Sequence, residues 1–205
     1  MVNYPQGLKK TTSSITSHNN INCYGGRGNS LEDDLNRSNE YYREAKIALI
    51  YKKPTPIQVV RVDYPNRSHA KIVEAYYRTP STTDYNGIYR GRPIDFEAKE
   101  TVRKTLFPFK YIHPHQVEHL KNVIEHGGIA FLIIRFIAFN ETYVIDALEI
   151  INRYHGKKRS ISYQDVKANG RLIQEGLTPR LHYLKEIDAL YFKEDSHNGN
   201  QKEQK

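Results

Sequence analysis

A single cysteine, Cys23, occurs in the 205 residues. No disulfide can therefore form within one chain, and a reducing cytoplasm is the expected compartment. Residues 1–20 lack the apolar core of a secretory signal. The longest apolar stretch, GIAFLIIRFIAF at 128–139, is too short to span a bilayer and contains Arg135, so no membrane role is indicated. Acids are missing from residues 1–28, which are rich in Ser, Thr, Asn and Gly and read as a mobile, slightly basic arm. Residues 193–205 read as a disordered tail. There is no internal repeat and no Walker pattern, so ATP is not expected.

What is present describes one polar globular domain over 29–192, with 38% hydrophobic residues and a mean hydropathy of -0.72. The net charge of +8 is unevenly spread. Residues 1–50 carry 6 basic and 5 acidic side chains, residues 51–110 carry 12 and 6, and residues 111–205 carry 13 and 12. Six of the eight excess charges thus fall in the middle segment, a field suited to a polyanion, with nucleic acid the first candidate.

Leu31, Leu35, Tyr42, Ala45 and Leu49 recur at helical spacing behind an Asn29 or Ser30 cap, which predicts a first helix merging into a strand near 47–52. KPTP at 53–56 forces a turn before a strand at 57–63. Residues 64–80, bounded by Pro65 and Pro80 and rich in Tyr, fit no element by pattern alone. Strands at 84–89 and 93–99 follow, joined at Arg90-Gly91; then a helix at 114–126, strands at 129–137 and 142–145, and helices at 146–154 and 182–192. Their order predicts an α/β fold with a mixed central sheet flanked by helices.

The stretch RGRPIDFEAKET at 90–101 puts Asp95, Glu97 and Lys99 on one face and Ile94, Phe96 and Ala98 on the other. A half-buried strand with a charged outer side would explain that much. Asp84, thirteen residues before Glu97, lies on the preceding strand. A tight turn between the two strands brings both carboxylates to one sheet end, where hard oxygen ligands suit Mg²⁺. Lys99 points to the same face and is placed to orient a water or stabilise a phosphorane. Asp–x12–Glu–Ala–Lys is the loose PD-(D/E)xK nuclease signature.

The segments RGNSLEDDLNRSNEYY, KPTPIQVV, STTDYNGIYRGRPIDFEAKET, FPFKYIHPHQVEHL and TPRLHYLKEIDALYF together resemble the RecU family of bacterial Holliday-junction resolvases over about 24–193. The resemblance implies a homodimer with a restriction-endonuclease-like core that cuts four-way DNA junctions symmetrically with Mg²⁺, or Mn²⁺ in its place. It also implies cooperation with the RecA recombinase and the RuvAB branch-migration motor. Residue by residue, it implies that Thr82, Asp84, Glu97 and Gln116 form the metal site. Lys99 would be the transition-state stabiliser, and Asp95 would belong to the catalytic strand. It makes residues 62–80 a projecting stalk that enters the junction centre, with Arg67, Lys71 and Arg78 as DNA-binding residues and Tyr64, Tyr76 and Tyr77 able to stack on unpaired bases, while the basic arm would grip phosphates without reading sequence. Glu32, on the first helix, takes the place of a further acid near the metal.

Three competing readings remain. One is a sequence-specific restriction-type nuclease on the same core. Another is a non-catalytic junction binder that regulates the recombinase. The third rests on HQVEH at 115–119, which fits the H-x-x-E-H pattern of inverted zinc peptidases, with His115 and His119 as ligands and Glu118 as base.

Overall fold

The computed structural model describes residues 30–78, 80 and 82–192, apart from the side chain of Arg67. The expected arm at 1–28 and tail at 193–205 lie outside the described residues.

Helix α1 (Leu31–Glu44) starts where the sequence suggests. The Ser30 hydroxyl accepts from the Asp33 N–H at 3.1 Å, and Glu32, Asp33 and Asp34 occupy the first turn, where carboxylates favour the helix dipole. The helical periodicity overreaches at its end. Ala45 caps the helix, Lys46 turns the chain with φ of 56°, and Leu49 belongs to the strand β1 (Ala48–Lys52), where it is exposed. The β-prone IALIY run overrides the helical spacing there.

Strands β2 (Ile57–Asp63) and β3 (Lys71–Tyr77) pair only with each other, antiparallel, through a 3-10 turn at Arg67–His69. The chain then forms β4 (Tyr85–Tyr89), β5 (Arg92–Thr101), β6 (Leu106–Pro108), α2 (Pro114–Glu125), β7 (Ile129–Phe136), β8 (Glu141–Asp146) and α3 (Ala147–His155). Helix α5 (Tyr183–Tyr191) closes the fold, and residues 156–176, to which the sequence pattern assigns no element, contain β9 (Ser160–Ser162), α4 (Tyr163–Asn169) and β10 (Arg171–Leu172). These pieces are two to seven residues long, too short to show a period.

The central sheet has six strands in the order β1-β4-β5-β7-β8-β10, mixed because β5 and β7 run parallel and the rest are antiparallel. The α/β expectation therefore holds. Strand β7 is buried along its whole length, as a continuous apolar run demands of a central strand covered on both faces. Ile94 and Phe96 of β5 pack with Phe131, α1 and α5 on one face, and Phe96 stacks between Tyr85 and Phe131 at 4.8 and 4.7 Å. The opposite face, with Ala130, Leu132 and Ile134 of β7, is covered by α2, α3 and α4.

A buried ion cluster locks α1 to the sheet. Asp34 accepts from Arg135 Nη2 at 2.7 Å and from Arg180 Nε at 3.1 Å, while Glu100 accepts from the Leu31 N–H at 2.9 Å. Removing one member of such a cluster leaves an uncompensated buried charge.

Among the described residues, neither β2 nor β3 buries a side chain. All residues of the two strands are exposed or half-buried, including Ile57, Val59, Val60, Val62, Ile72, Val73 and Tyr76, and Tyr77 is 84% exposed. An isolated hairpin is marginal in water, and contiguous apolar exposure of this kind marks an interaction site.

Candidate active site

The alternation of β5 decides where the site forms. Register with β7 puts Asp95 opposite Ala130, Glu97 opposite Leu132 and Lys99 opposite Ile134, so the three polar side chains share the face covered by α2. That face is not a solvent face. Glu97 is fully buried and Asp95 nearly so.

Strand β4 runs back antiparallel with Tyr85 opposite Phe96, which places Asp84 beside Glu97 at one sheet end. The Asp84 N–H donates to Glu97 Oε2 at 3.1 Å. Lys99 Nζ contacts Glu97 Oε1 and lies 3.7 Å from Asp84 Oδ2. Two carboxylates thus converge on one cation. Burial pushes the Glu97 carboxyl up from 4.5 to about 7; Lys99 pulls it down and Asp84 pushes it up again. Asp84, at 37% side-chain exposure, opens instead onto a cleft of about 490 Å³ lined by Glu32, Lys52, Lys53, Thr82, Lys99 and Glu100, among others.

Asp95 does a different job on the same strand. Thr83 Oγ1 donates to its Oδ1, Lys53 Nζ lies 3.0 Å from its Oδ2, and His119 Nε2 approaches its Oδ1 at 3.2 Å without hydrogen-bond alignment. Lys53 also donates from Nζ to Thr83 Oγ1 at 3.2 Å and from its backbone N–H to the Asp84 carbonyl at 2.8 Å. Asp95, Lys53 and Thr83 therefore clamp the segment that delivers Asp84. Sequence reasoning missed Lys53 and Thr83. The only available signal was position: Lys53 directly follows the strand that pairs with β4.

The remaining candidates fall in separate places. Thr82 lines the cleft beside Asp84. Gln116 is buried at the third position of α2, where its Oε1 accepts from the His113 N–H at 2.9 Å as half of a capping box. No hydrogen bond links it to Asp84 or Glu97 among the described residues. Glu32 reaches the cleft rim and pairs with Lys52. Tyr64, Lys71, Tyr76 and Arg78 are exposed on the hairpin or its root, and Tyr76 donates to Glu74 Oε1 at 2.8 Å. Arg67 lies in the turn at the hairpin tip, and its side chain is outside the described residues.

His115 and His119 stand one turn apart on α2, with Glu118 exposed. Burial, with His113 and His119 nearby, holds the His115 pKa down. Among the described residues no three His, Cys, Asp or Glu side chains form a group able to hold a metal ion, so the zinc-peptidase pattern lacks its third ligand. A hard divalent cation fits the Asp84–Glu97 pair on other grounds. The pair already gathers around one positive charge, and a fully buried carboxylate with a pKa near 7 calls for a compensating cation. Hydroxyl and amide oxygens, such as those of Thr82 and Gln116, are of the same hard donor type.

The sequence matches the RecU family model, described as Recombination protein U, over residues 26–189. It is 54% identical over 173 residues to the Holliday junction resolvase RecU of Geobacillus kaustophilus (strain HTA426), covering 82% of this chain and 86% of that protein. The protein of the same name from Bacillus cytotoxicus is 48% identical over 193 residues, covering 92% of this chain and 94% of the relative. The one from Bacillus thuringiensis (strain Al Hakam) is 48% identical over 197 residues, covering 93% and 98%.

Proposed function

The chain belongs to the RecU family, and on that premise we propose that it is a Holliday-junction resolvase, a nuclease that opens four-way DNA junctions in recombination and repair. The observation that carries the reading is the convergence of Asp84 and Lys99, on the lining of an open cleft, with the buried Glu97 behind them. A pure binding protein has no need to bury a carboxylate and aim an ammonium at it.

Asp84 and Glu97 would hold a divalent ion, Mg²⁺ or Mn²⁺, with Thr82 and Gln116 as further oxygen donors. When bound, the ion supplies positive charge to the phosphoryl group and acidity to a water. The chain's own residues do the rest. Lys99, whose ammonium lies beside Asp84 on the cleft lining, would donate hydrogen bonds to the non-bridging phosphoryl oxygens where negative charge develops. Water oxygen adds to phosphorus and gives up one proton to solvent, the P–O3′ bond breaks, and the departing 3′-oxygen takes up a proton from solvent. The products are a 5′-phosphate and a 3′-hydroxyl.

The hairpin would choose the substrate. Its exposed Tyr64, Tyr76 and Tyr77 offer stacking faces for unpaired bases, which the open centre of a junction can present and an intact duplex does not. Two-fold related sites would cut opposing strands symmetrically. Support for a homodimer comes from Ile47, Leu49, Tyr51 and Ile88, an exposed apolar strip on the edge strand β1 and its neighbour. RecA and the RuvAB motor are further proposed partners.

Labelled four-way junction and linear duplex of matched sequence test the reading, each with Mg²⁺ or with EDTA. Paired, metal-dependent nicks confined to the junction are expected. Fixed-site cutting of linear duplex would replace the reading by a restriction-type nuclease. Binding without nicks would replace it by the regulator.

The clamp around Asp95 gives a separate expectation. Lys53→Met should lower junction nicking about 10-fold at unchanged junction affinity, the usual scale for residues that orient ligands. Single-turnover nicking beside a binding titration checks it, and equal loss of both would show a general structural role instead.

A further inference from the structure

The small sheet of β6 and β9 joins two stretches of chain that hold cations and no acid. Residues 102–113 contain Arg103, Lys104 and Lys110, residues 152–162 contain Arg153, Lys157, Lys158 and Arg159, and neither contains Asp or Glu. In the sequence the second stretch is hidden inside a segment of nearly balanced charge.

Pairing sets Leu106 opposite Ser162 and Pro108 opposite Ser160. The Phe109 N–H donates to the Arg159 carbonyl at 2.9 Å, and the Tyr163 N–H donates to the Thr105 carbonyl at 2.8 Å. Lys110 therefore lies beside Lys158 and Arg159 at one end of the sheet, and Arg103 and Lys104 lie at the other. Lys110, Lys158 and Arg159 line a hollow of about 560 Å³ with Phe109, His113 and Tyr154 at the start of α2.

A solvated face of mixed charge would be the ordinary explanation, and it fails on the acids. Glu149 and Asp165, which flank the second stretch, are both taken by Arg153, at 2.6 and 3.4 Å. Glu100, which precedes the first, turns to the Leu31 N–H and to Arg135. The other six cations are exposed and make no salt bridge among the described residues. Lys158 also lies within electrostatic reach of Asp165, and six exposed cations without a salt bridge among the described residues still attract a polyanion.

We propose that this platform grips the phosphate backbone of one duplex arm of the junction, leading away from the scissile phosphate. The proposal rests on the resolvase reading. Strand β5 carries Lys99 and ends at Thr101, two residues before Arg103. At about 3.3 Å per residue, the first cation pair stands roughly 13 Å from Lys99 along the chain. That is the rise of about four base pairs. The three residues of β6 carry the track roughly 10 Å further to Lys110 and Arg159. The side chains are flexible and on the surface, so they neutralise phosphates without reading bases.

The triple change Lys110→Gln, Lys158→Gln and Arg159→Gln tests it on the full chain. A control triple of equal charge loss, Lys46→Gln, Lys121→Gln and Lys185→Gln, lies elsewhere. Junction affinity is measured from about 50 to 200 mM salt, where each lost phosphate contact lowers the slope of log K against log salt by about 0.9. The platform triple should lose about 2 in slope and at least about 10-fold in affinity at 100 mM salt, with nicking at saturating protein within about twofold of wild type. The control should change the slope by less than about 0.5. A platform triple with the wild-type slope, or a control triple that loses as much, overturns the proposal. Failure of the resolvase reading would look different: wild-type protein would not nick the junction, whatever its slope.

Discussion

Lys99→Met should reduce junction nicking by about 10²–10³-fold, the measured scale for one lost donor to developing transition-state charge, and leave junction affinity within about threefold. The side chain stands between the two carboxylates and reaches the cleft. Methionine keeps much of the length and packing and removes only the charge. Arginine should not rescue, because its planar fork is larger than the ammonium that fits between Asp84 and Glu97. The split between affinity and rate is the diagnostic readout, since a merely structural lysine would lower both. Full nicking by the methionine variant would remove Lys99 from the mechanism.

Glu97→Gln should abolish nicking and yet stabilise the metal-free protein at alkaline pH. The folded pKa of about 7 lies above the ordinary 4.5, so between those values the folded chain holds a proton that the unfolded chain has released. Stability therefore falls as pH rises through this window and is lowest above it. A shift from 4.5 to about 7 corresponds to about 3 kcal/mol at 1.36 kcal/mol per pH unit. Glutamine carries no charge to bury and can still accept from the Asp84 N–H. In EDTA at pH 8 the variant should melt about 5–10 °C above wild type, and at pH 4.5 the two should coincide. Divalent cation should raise the wild-type melting temperature more at pH 8 than at pH 5. An equal gain at both pH values would mean that something other than the buried charge is relieved.

Both predictions concern residues that the sequence exposes well. The alternation of Asp95, Glu97 and Lys99 against Ile94, Phe96 and Ala98 is a two-residue period, and an antiparallel partner fixes where Asp84 must lie. Long periodic elements such as α1, α2 and β7 are legible for the same reason. What stayed hidden depends on contacts between distant segments. Lys53 reads as a loop cation until β1 is laid beside β4. The burial of Asp95 follows from α2 closing over a face that looks polar in isolation. The strand β3 was unreadable because its apolar residues alternate against no buried side, and the cations around β9 belong together only through a three-residue pairing.

The root of the hairpin has a mechanical consequence. The bond from the Lys53 N–H to the Asp84 carbonyl prolongs the β1–β4 ladder one step past the Lys52–Tyr85 pair. The chain thus leaves the sheet and returns to it at adjacent points, with the β2–β3 arm between them. Seven residues of strand make that arm roughly 24 Å long. The two points of attachment are the clamp that holds Asp95 and the turn that carries Asp84. Whatever binds the hairpin is therefore tied to the sheet through Lys53 and Asp84, the residues that frame the cleft.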